Sequence, residues 1–156
     1  ELISWVIARA NENFIPVYVD PKKHHFSNYQ GARLFKPNYA EYLSVIRTGA
    51  DLETSGEAYR KENEFEVLLI TRGADGMSLF QDGNYIRIST RARSVHDVSG
   101  AGDTVIAAFA LNDVCGLEPT DSAMLANLAA GKVCEAVGVV PVTSHSLMEI
   151  VDHYQE

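Results

Sequence analysis

Two stretches restrict the fold class more than anything else in the chain. Ile15-Pro16-Val17-Tyr18-Val19-Asp20 and Val67-Leu68-Leu69-Ile70 are continuously apolar instead of alternating. That is how a strand buried on both faces reads. Around them the rhythm changes to that of helices. Leu2, Val6 and Ala10, with Ile3 and Ile7, form an i, i+4 stripe that predicts a helix over 2–13. Further helices are expected over 39–47, 52–62 (capped by Asp51), 101–115, 121–137 (capped by Thr120-Asp121) and 146–153, with Gly116 and Gly138 as stops. Shorter strands are expected at 32–36, 76–81, 85–89 and 94–97, and Asp82-Gly83-Asn84 reads as a hairpin turn. Strands alternating with helices imply a layered α/β protein with a mostly parallel sheet and one antiparallel hairpin. In such sheets ligands gather beyond the carboxyl ends of the strands. Asp20 and the segments 36–41, 71–76 and 97–103 all follow expected strand ends.

Composition narrows the function. A chain of 156 residues is long enough for one domain with a real core. A net charge of −8 argues against a nucleic-acid partner, which needs a basic surface. The two cysteines, Cys115 and Cys134, make no C-x-x-C pattern, which argues against zinc and fits a reducing, cytoplasmic setting. No run approaches the roughly 20 apolar residues of a membrane span. The chain lacks an initiator Met and opens directly in helical rhythm, which reads as a piece of something longer. His24, His25, His96, His145 and His153 show no metal-site spacing beyond the adjacent His24-His25 pair, and no role is assigned to them.

The chemistry is concentrated in Asp97-Val98-Ser99-Gly100-Ala101-Gly102-Asp103-Thr104, between an expected strand and an Ala-rich helix. A glycine-rich turn that opens a helix is an anion site, because its amides point outward and the helix dipole adds positive charge. A carboxylate there repels an anion, so Asp103 needs a reason. Phosphoryl transfer supplies one: the Gly100, Ala101 and Gly102 amides hold developing phosphate charge while Asp103 takes the proton of the attacking hydroxyl. The alternative is an early-turn carboxylate paired with the helix dipole. Neither common nucleotide loop is present. Val105 stands where a Rossmann fingerprint needs its third glycine, and Gly131-Lys132 is followed by Val133 where a Walker A loop needs Ser or Thr. Asn38 and Glu41 lie three apart at a helix start, which suits either water-mediated Mg²⁺ binding or a capping box, and the two are compatible.

The 97–104 run resembles the Asp-Thr-x-Gly-Ala-Gly-Asp signature of the PfkB (ribokinase-like) carbohydrate kinases, with Val98 and Ser99 as departures. Lys36-Pro37-Asn38-Tyr39-Ala40-Glu41 resembles the family's Asn-x-x-Glu motif, and Thr71-Arg72-Gly73-Ala74-Asp75-Gly76 its Thr-x-Gly-x-x-Gly motif. Ala126-Asn127-Leu128-Ala129-Ala130-Gly131 resembles the helix bordering the adenine pocket. Within the family, 95–108 is most similar to the kinases of D-glycero-β-D-manno-heptose 7-phosphate, as found in bifunctional ADP-heptose synthesis proteins. The resemblance implies a ribokinase-like α/β/α fold in which 1–156 is the C-terminal, nucleotide-binding portion. The N-terminal half and its lid would lie outside it, making that half a partner of this chain. It implies ATP and Mg²⁺, with Asn38, Tyr39, Ala40, Glu41, Thr71, Gly73, Gly76 and Asn127 toward the nucleotide and Asn38 and Glu41 toward the metal. Asp97, with the Val98 carbonyl and the 137–144 loop, would hold a monovalent cation such as K⁺. The implied reaction is phosphorylation of a sugar or sugar-phosphate hydroxyl. For a heptose 7-phosphate this is O1, on the way to ADP-heptose and lipopolysaccharide. The rivals are another kinase of the family, a nucleotide-binding fragment without turnover, and a self-associating chain that forms a homodimer.

Overall fold

A computed structural model describes residues 2–22, 26–46, 49–90, 97–138 and 140–154. The expected strand at 94–97, except Asp97, lies outside these residues, as do His24, His25 and His96. Helices α1 (Leu2–Glu12), α2 (Tyr39–Val45), α3 (Leu52–Glu62), α4 (Ala101–Val114), α5 (Pro119–Cys134) and α6 (Ser144–Tyr154) accompany strands β1 (Tyr18–Val19), β2 (Leu34–Phe35), β3 (Val67–Thr71), β4 (Met77–Gln81) and β5 (Asn84–Ile88). The strands form one sheet in the order β1-β2-β3-β4-β5. Tyr18 pairs in parallel with Leu34, and Leu34 with Val67. The short links from β3 to β4 and from β4 to β5 leave no room for a crossover, so the last two strands run antiparallel.

The chain divides into two compact units, residues 1–73 with 78–87, and residues 74–77 with 88–156. The first unit holds an aromatic core. Phe35 stacks on Phe65 with centroids 4.4 Å apart, and Tyr42, Leu68, Ile70 and Phe80 close the cluster around them. The turn between β4 and β5 needs only two residues. Asp82 (φ 50°) and Gly83 (φ 81°) are both left-handed, as the twist of a tight hairpin demands, and Asn84 already belongs to β5.

In the second unit α4 packs along α5, and α5 against α6. α5 presents Ala123, Ala126, Ala129 and Ala130 among its buried residues, small enough for helices to approach closely. Two expectations are corrected. α5 has Glu118 at its N-cap position, with no side-chain capping bond, and starts at Pro119, not at Thr120-Asp121. A proline at the first helical position loses no hydrogen bond and has its φ preset. β1 is shorter than 15–20, because Phe14 turns left-handed (φ 56°) and the Ile15 amide closes the end of α1 on the Ala10 carbonyl. The ladder therefore begins at the Val17 carbonyl, which accepts from the Leu34 amide.

Candidate functional site

In the first unit, the residues expected to handle a nucleotide sit just past the ends of β2 and β3. The Thr71 amide donates to the Pro37 carbonyl at 3.1 Å, and Asn38 bridges in parallel to Thr71. The Asn-x-x-Glu and Thr-x-Gly segments are therefore neighbours. Asn38 caps α2: its Oδ1 accepts from the Glu41 amide at 2.9 Å, and Glu41 Oε2 accepts from the Asn38 amide at 2.8 Å. This is the capping box expected from the spacing. One Glu41 oxygen serves the box, which leaves the other for water or a cation. Tyr39 stacks on Tyr42, and the Arg72 guanidinium lies 5.6 Å above the Tyr39 ring. Ala40 is exposed beside them. Gly73 opens a 3₁₀ turn with φ 58°.

One pair had no role from sequence alone. Lys36 is only 3% exposed, and its Nζ lies 3.2 Å from Asp20 Oδ1. Lys36 follows β2 and Asp20 follows β1, so parallel pairing brings both to adjoining strand ends. That juxtaposition comes from the strand order, which no local pattern in the sequence carries.

In the second unit, Gly100 takes the left-handed conformation (φ 80°, ψ −4°) and hands the chain into α4, with Asp103 exposed in the first turn. A side chain at Gly100 would strain that entry. The Ala101 amide donates to the Val98 carbonyl at 3.2 Å, and the Thr104 amide and hydroxyl both donate to the Gly100 carbonyl at 2.9 Å. Ala101 is thus already engaged. Among the described residues, the Gly102 and Asp103 amides are the first-turn donors that no protein acceptor takes. Asp97 braces the loop. Its Oδ1 accepts from the Ser99 amide at 2.9 Å and its Oδ2 from the Gly138 amide at 3.2 Å. The Ser99 amide foremost, then Gly138, holds the Asp97 carboxyl below the usual carboxylate range. Through Gly138, Asp97 thus contacts the start of the 137–144 segment.

Gly76 and Asn127 have structural partners. A Cβ on Gly76 (φ 80°) would stand 2.0 Å from the Ile88 carbonyl oxygen, so only glycine fits. Asn127 is buried and its Nδ2 donates to the Ser89 carbonyl at 2.9 Å. No cluster of three or more His, Cys, Asp or Glu among the described residues could hold a metal, and both cysteines are free thiols. Among the described residues no helix is long and apolar enough to cross a membrane.

A parallel sheet with a terminal hairpin, and a left-handed glycine feeding a helix whose first turn carries an aspartate, define an α/β protein of ribokinase-like fold. Solved structures agree. Arabidopsis thaliana ribokinase complexed with ribose and ATP matches with a TM-score of 0.82 at 23% identity, over 96% of this chain and 52% of its own. Escherichia coli phosphofructokinase-2 in complex with potassium matches with 0.85 at 16% identity, over 99% and 52%. The chain belongs to the pfkB family of carbohydrate kinases, whose profile matches residues 1–145. Among curated relatives, the bifunctional protein HldE of Coxiella burnetii is 45% identical over 145 residues, 90% of this chain and 30% of the relative. That of Geobacter metallireducens is 44% identical over 155 residues, 96% and 31%. The chain therefore spans about a third of the length of these curated relatives and about half that of the solved ones.

Proposed function

We propose that this chain is the nucleotide-binding part of an ATP-dependent sugar kinase that phosphorylates a heptose 7-phosphate at O1, feeding ADP-heptose synthesis in the cytoplasm. The observation that carries the reading is the entry to α4, where no acceptor among the described residues takes the Gly102 and Asp103 amides beside the exposed Asp103 carboxylate. Asp103 accepts the proton of the sugar hydroxyl as that oxygen attacks the γ-phosphorus of ATP. These amides and the helix dipole stabilise the charge on the transferring group. Asp97 keeps the loop in shape, and a monovalent cation beside it would add to that rigidity. Asn38, Tyr39, Ala40, Glu41, Thr71, Gly73, Gly76 and Asn127 serve the nucleotide. Mg²⁺ would neutralise phosphate charge, and the oxygen of Glu41 outside the capping box fits a water-mediated contact to it better than a closed cage.

The heptose assignment is supported by the resemblance of 95–108 to heptose 7-phosphate kinases and by identities of 38–46% to HldE proteins. A second reading has its own support. The solved kinases are about twice as long as this chain, so it binds nucleotide while turnover belongs to the whole kinase.

The test is calorimetric titration with a non-hydrolysable ATP analogue and Mg²⁺, for this chain and its Asp103→Asn variant. Saturable binding by both is expected, since Asp103 acts in chemistry. Absence of binding by both would refute the nucleotide reading. In the full-length kinase, Asp103→Asn should lower turnover by about two to four orders of magnitude with little change in nucleotide affinity.

A further inference from the structure

Helix α2 has seven residues, too few to hold its own orientation. Tyr42 is its one buried residue. The Tyr42 hydroxyl donates to Ser55 Oγ at 2.8 Å, and the Ser55 hydroxyl donates to the Asp51 carbonyl at 2.7 Å. This anchor ties α2 to the start of α3. One anchor fixes a point and lets a short helix roll about it. The roll matters because α2 opens with the Asn38–Glu41 box, and a rotation carries the Glu41 carboxylate with it.

A second hold comes from the end of β3. Tyr39, three residues before Tyr42, shares its face of α2 and stacks on it with ring centroids 6.5 Å apart. The Arg72 guanidinium lies 5.6 Å from the centroid of the Tyr39 ring, and its Nε is shut away from solvent. A desolvated guanidinium over an aromatic ring is held more firmly than an exposed one. Arg72 directly follows Thr71, whose amide donates to the Pro37 carbonyl. Arg72, Tyr39, Tyr42 and Ser55 thus make a continuous line from the end of β3 across α2 to α3. We infer that Arg72 is a positioning residue for the nucleotide: laid on Tyr39, it stops α2 from rolling and keeps the Asn38–Glu41 box in register with Thr71 and Gly73. The inference rests on the kinase reading above and deepens it, since Arg72 acts through Tyr39 and not by contact with the reacting groups.

The test uses the full-length kinase and four variants: Arg72→Met, Tyr39→Leu, the double variant and Arg72→Lys. Methionine removes the charge and keeps an unbranched stem, whereas lysine keeps a cation for the ring. The readouts are Kd for a non-hydrolysable ATP analogue with Mg²⁺, by calorimetry, and KM and kcat for ATP. Arg72→Met is expected to raise Kd and KM about tenfold and to change kcat by less than about twofold, because binding geometry is lost and the base is untouched. In the Tyr39→Leu background the same substitution should cost less than about twofold, since the stack is already gone. Arg72→Lys should return Kd to within about threefold of the parent. Unchanged Kd and KM in Arg72→Met overturn the inference even where the urea midpoint falls, because the stack is then structural only. An equal cost in both backgrounds also overturns it, because Arg72 then meets the nucleotide directly. Circular dichroism checks folding, and Arg72→Gln takes the place of Arg72→Met in the cycle where the methionine variant does not fold. Binding by the parent with unchanged variants sinks the positioning role alone. A parent that binds no analogue sinks the kinase reading, and the positioning role with it.

Discussion

Replacing Gly56 with alanine sets two effects of known size against each other. Gly56 lies inside α3, where alanine is normally favoured over glycine by about 1 kcal/mol. By propensity alone the substitution stabilises. The packing opposes it. A Cβ on Gly56 would stand 2.3, 2.5 and 2.8 Å from Cζ, Cε1 and Cε2 of Phe80. Carbon atoms settle at about 3.5–4.0 Å, so the ring must retreat by more than an ångström. It has nowhere to go, since Phe80 is fully buried and stacked on Tyr85 with centroids 5.0 Å apart. Overpacking of this kind costs about 1–3 kcal/mol, and so direct a clash belongs at the upper end. The net expectation is a loss of about 2 kcal/mol, or a Tm lower by about 4–8 °C for a chain of this size.

The assay is urea unfolding followed by circular dichroism for the parent, Gly56→Ala, Phe80→Leu and the double variant. The slope should stay constant while the midpoint falls. If the clash is the cause, the cost of Gly56→Ala should shrink by about 1 kcal/mol in the Phe80→Leu background. A Gly56→Ala chain more stable than its parent would refute the reasoning. So would an equal cost in both backgrounds.

Two further expectations follow from charge. Lys36 is 3% exposed whereas the Asp20 side chain is 23% exposed, so an orphaned lysine is worse off than an orphaned aspartate. Asp20→Asn should therefore destabilise more than Lys36→Met in the same urea assay, and the reverse order would show that the pair is not held as described. Asp97 has its carboxyl pulled down by the Ser99 and Gly138 amides, so its contribution is present above the ordinary carboxylate pKa of about 4 and is lost as pH falls through its depressed folded value. Asp97→Asn should lose less stability than its parent between about pH 5 and pH 3, read from urea midpoints against pH. An identical acid loss in the two chains would remove Asp97 from the account.

The elements that proved legible were those with local chemistry at their ends. α3 runs from Leu52 to Glu62 as its pattern predicts, because Asp51 caps it by accepting from the Thr54 amide at 3.0 Å. Gly116 ends the α4 region with φ 88°. What escaped the sequence depends on partners distant along the chain. The Lys36–Asp20 pair exists only because β1 lies beside β2, an order that no local pattern encodes. The engagement of Ala101 by Val98 is a turn too small to show in residue types. The periodicity of α4 was uninformative for a physical reason: its middle, 105–111, is an unbroken apolar run with no face to point, so which of its residues stay exposed emerges only from packing.

The Asn38–Glu41 motif shows why a capping reading and a metal reading need not compete. The box consumes Asn38 Oδ1 and Glu41 Oε2 and fixes both side chains at the start of α2. The same Asn38 bridges to Thr71, so the cap also anchors the end of β3. A carboxylate held by one oxygen presents the other in a set direction, with its rotamer freedom already lost in folding. An Asp at Glu41 would be too short to close the box, and would lose helix stability and site geometry together. Under the proposed function, the cap and the metal contact would then place one constraint on the same two side chains, which is why the spacing alone could not distinguish them.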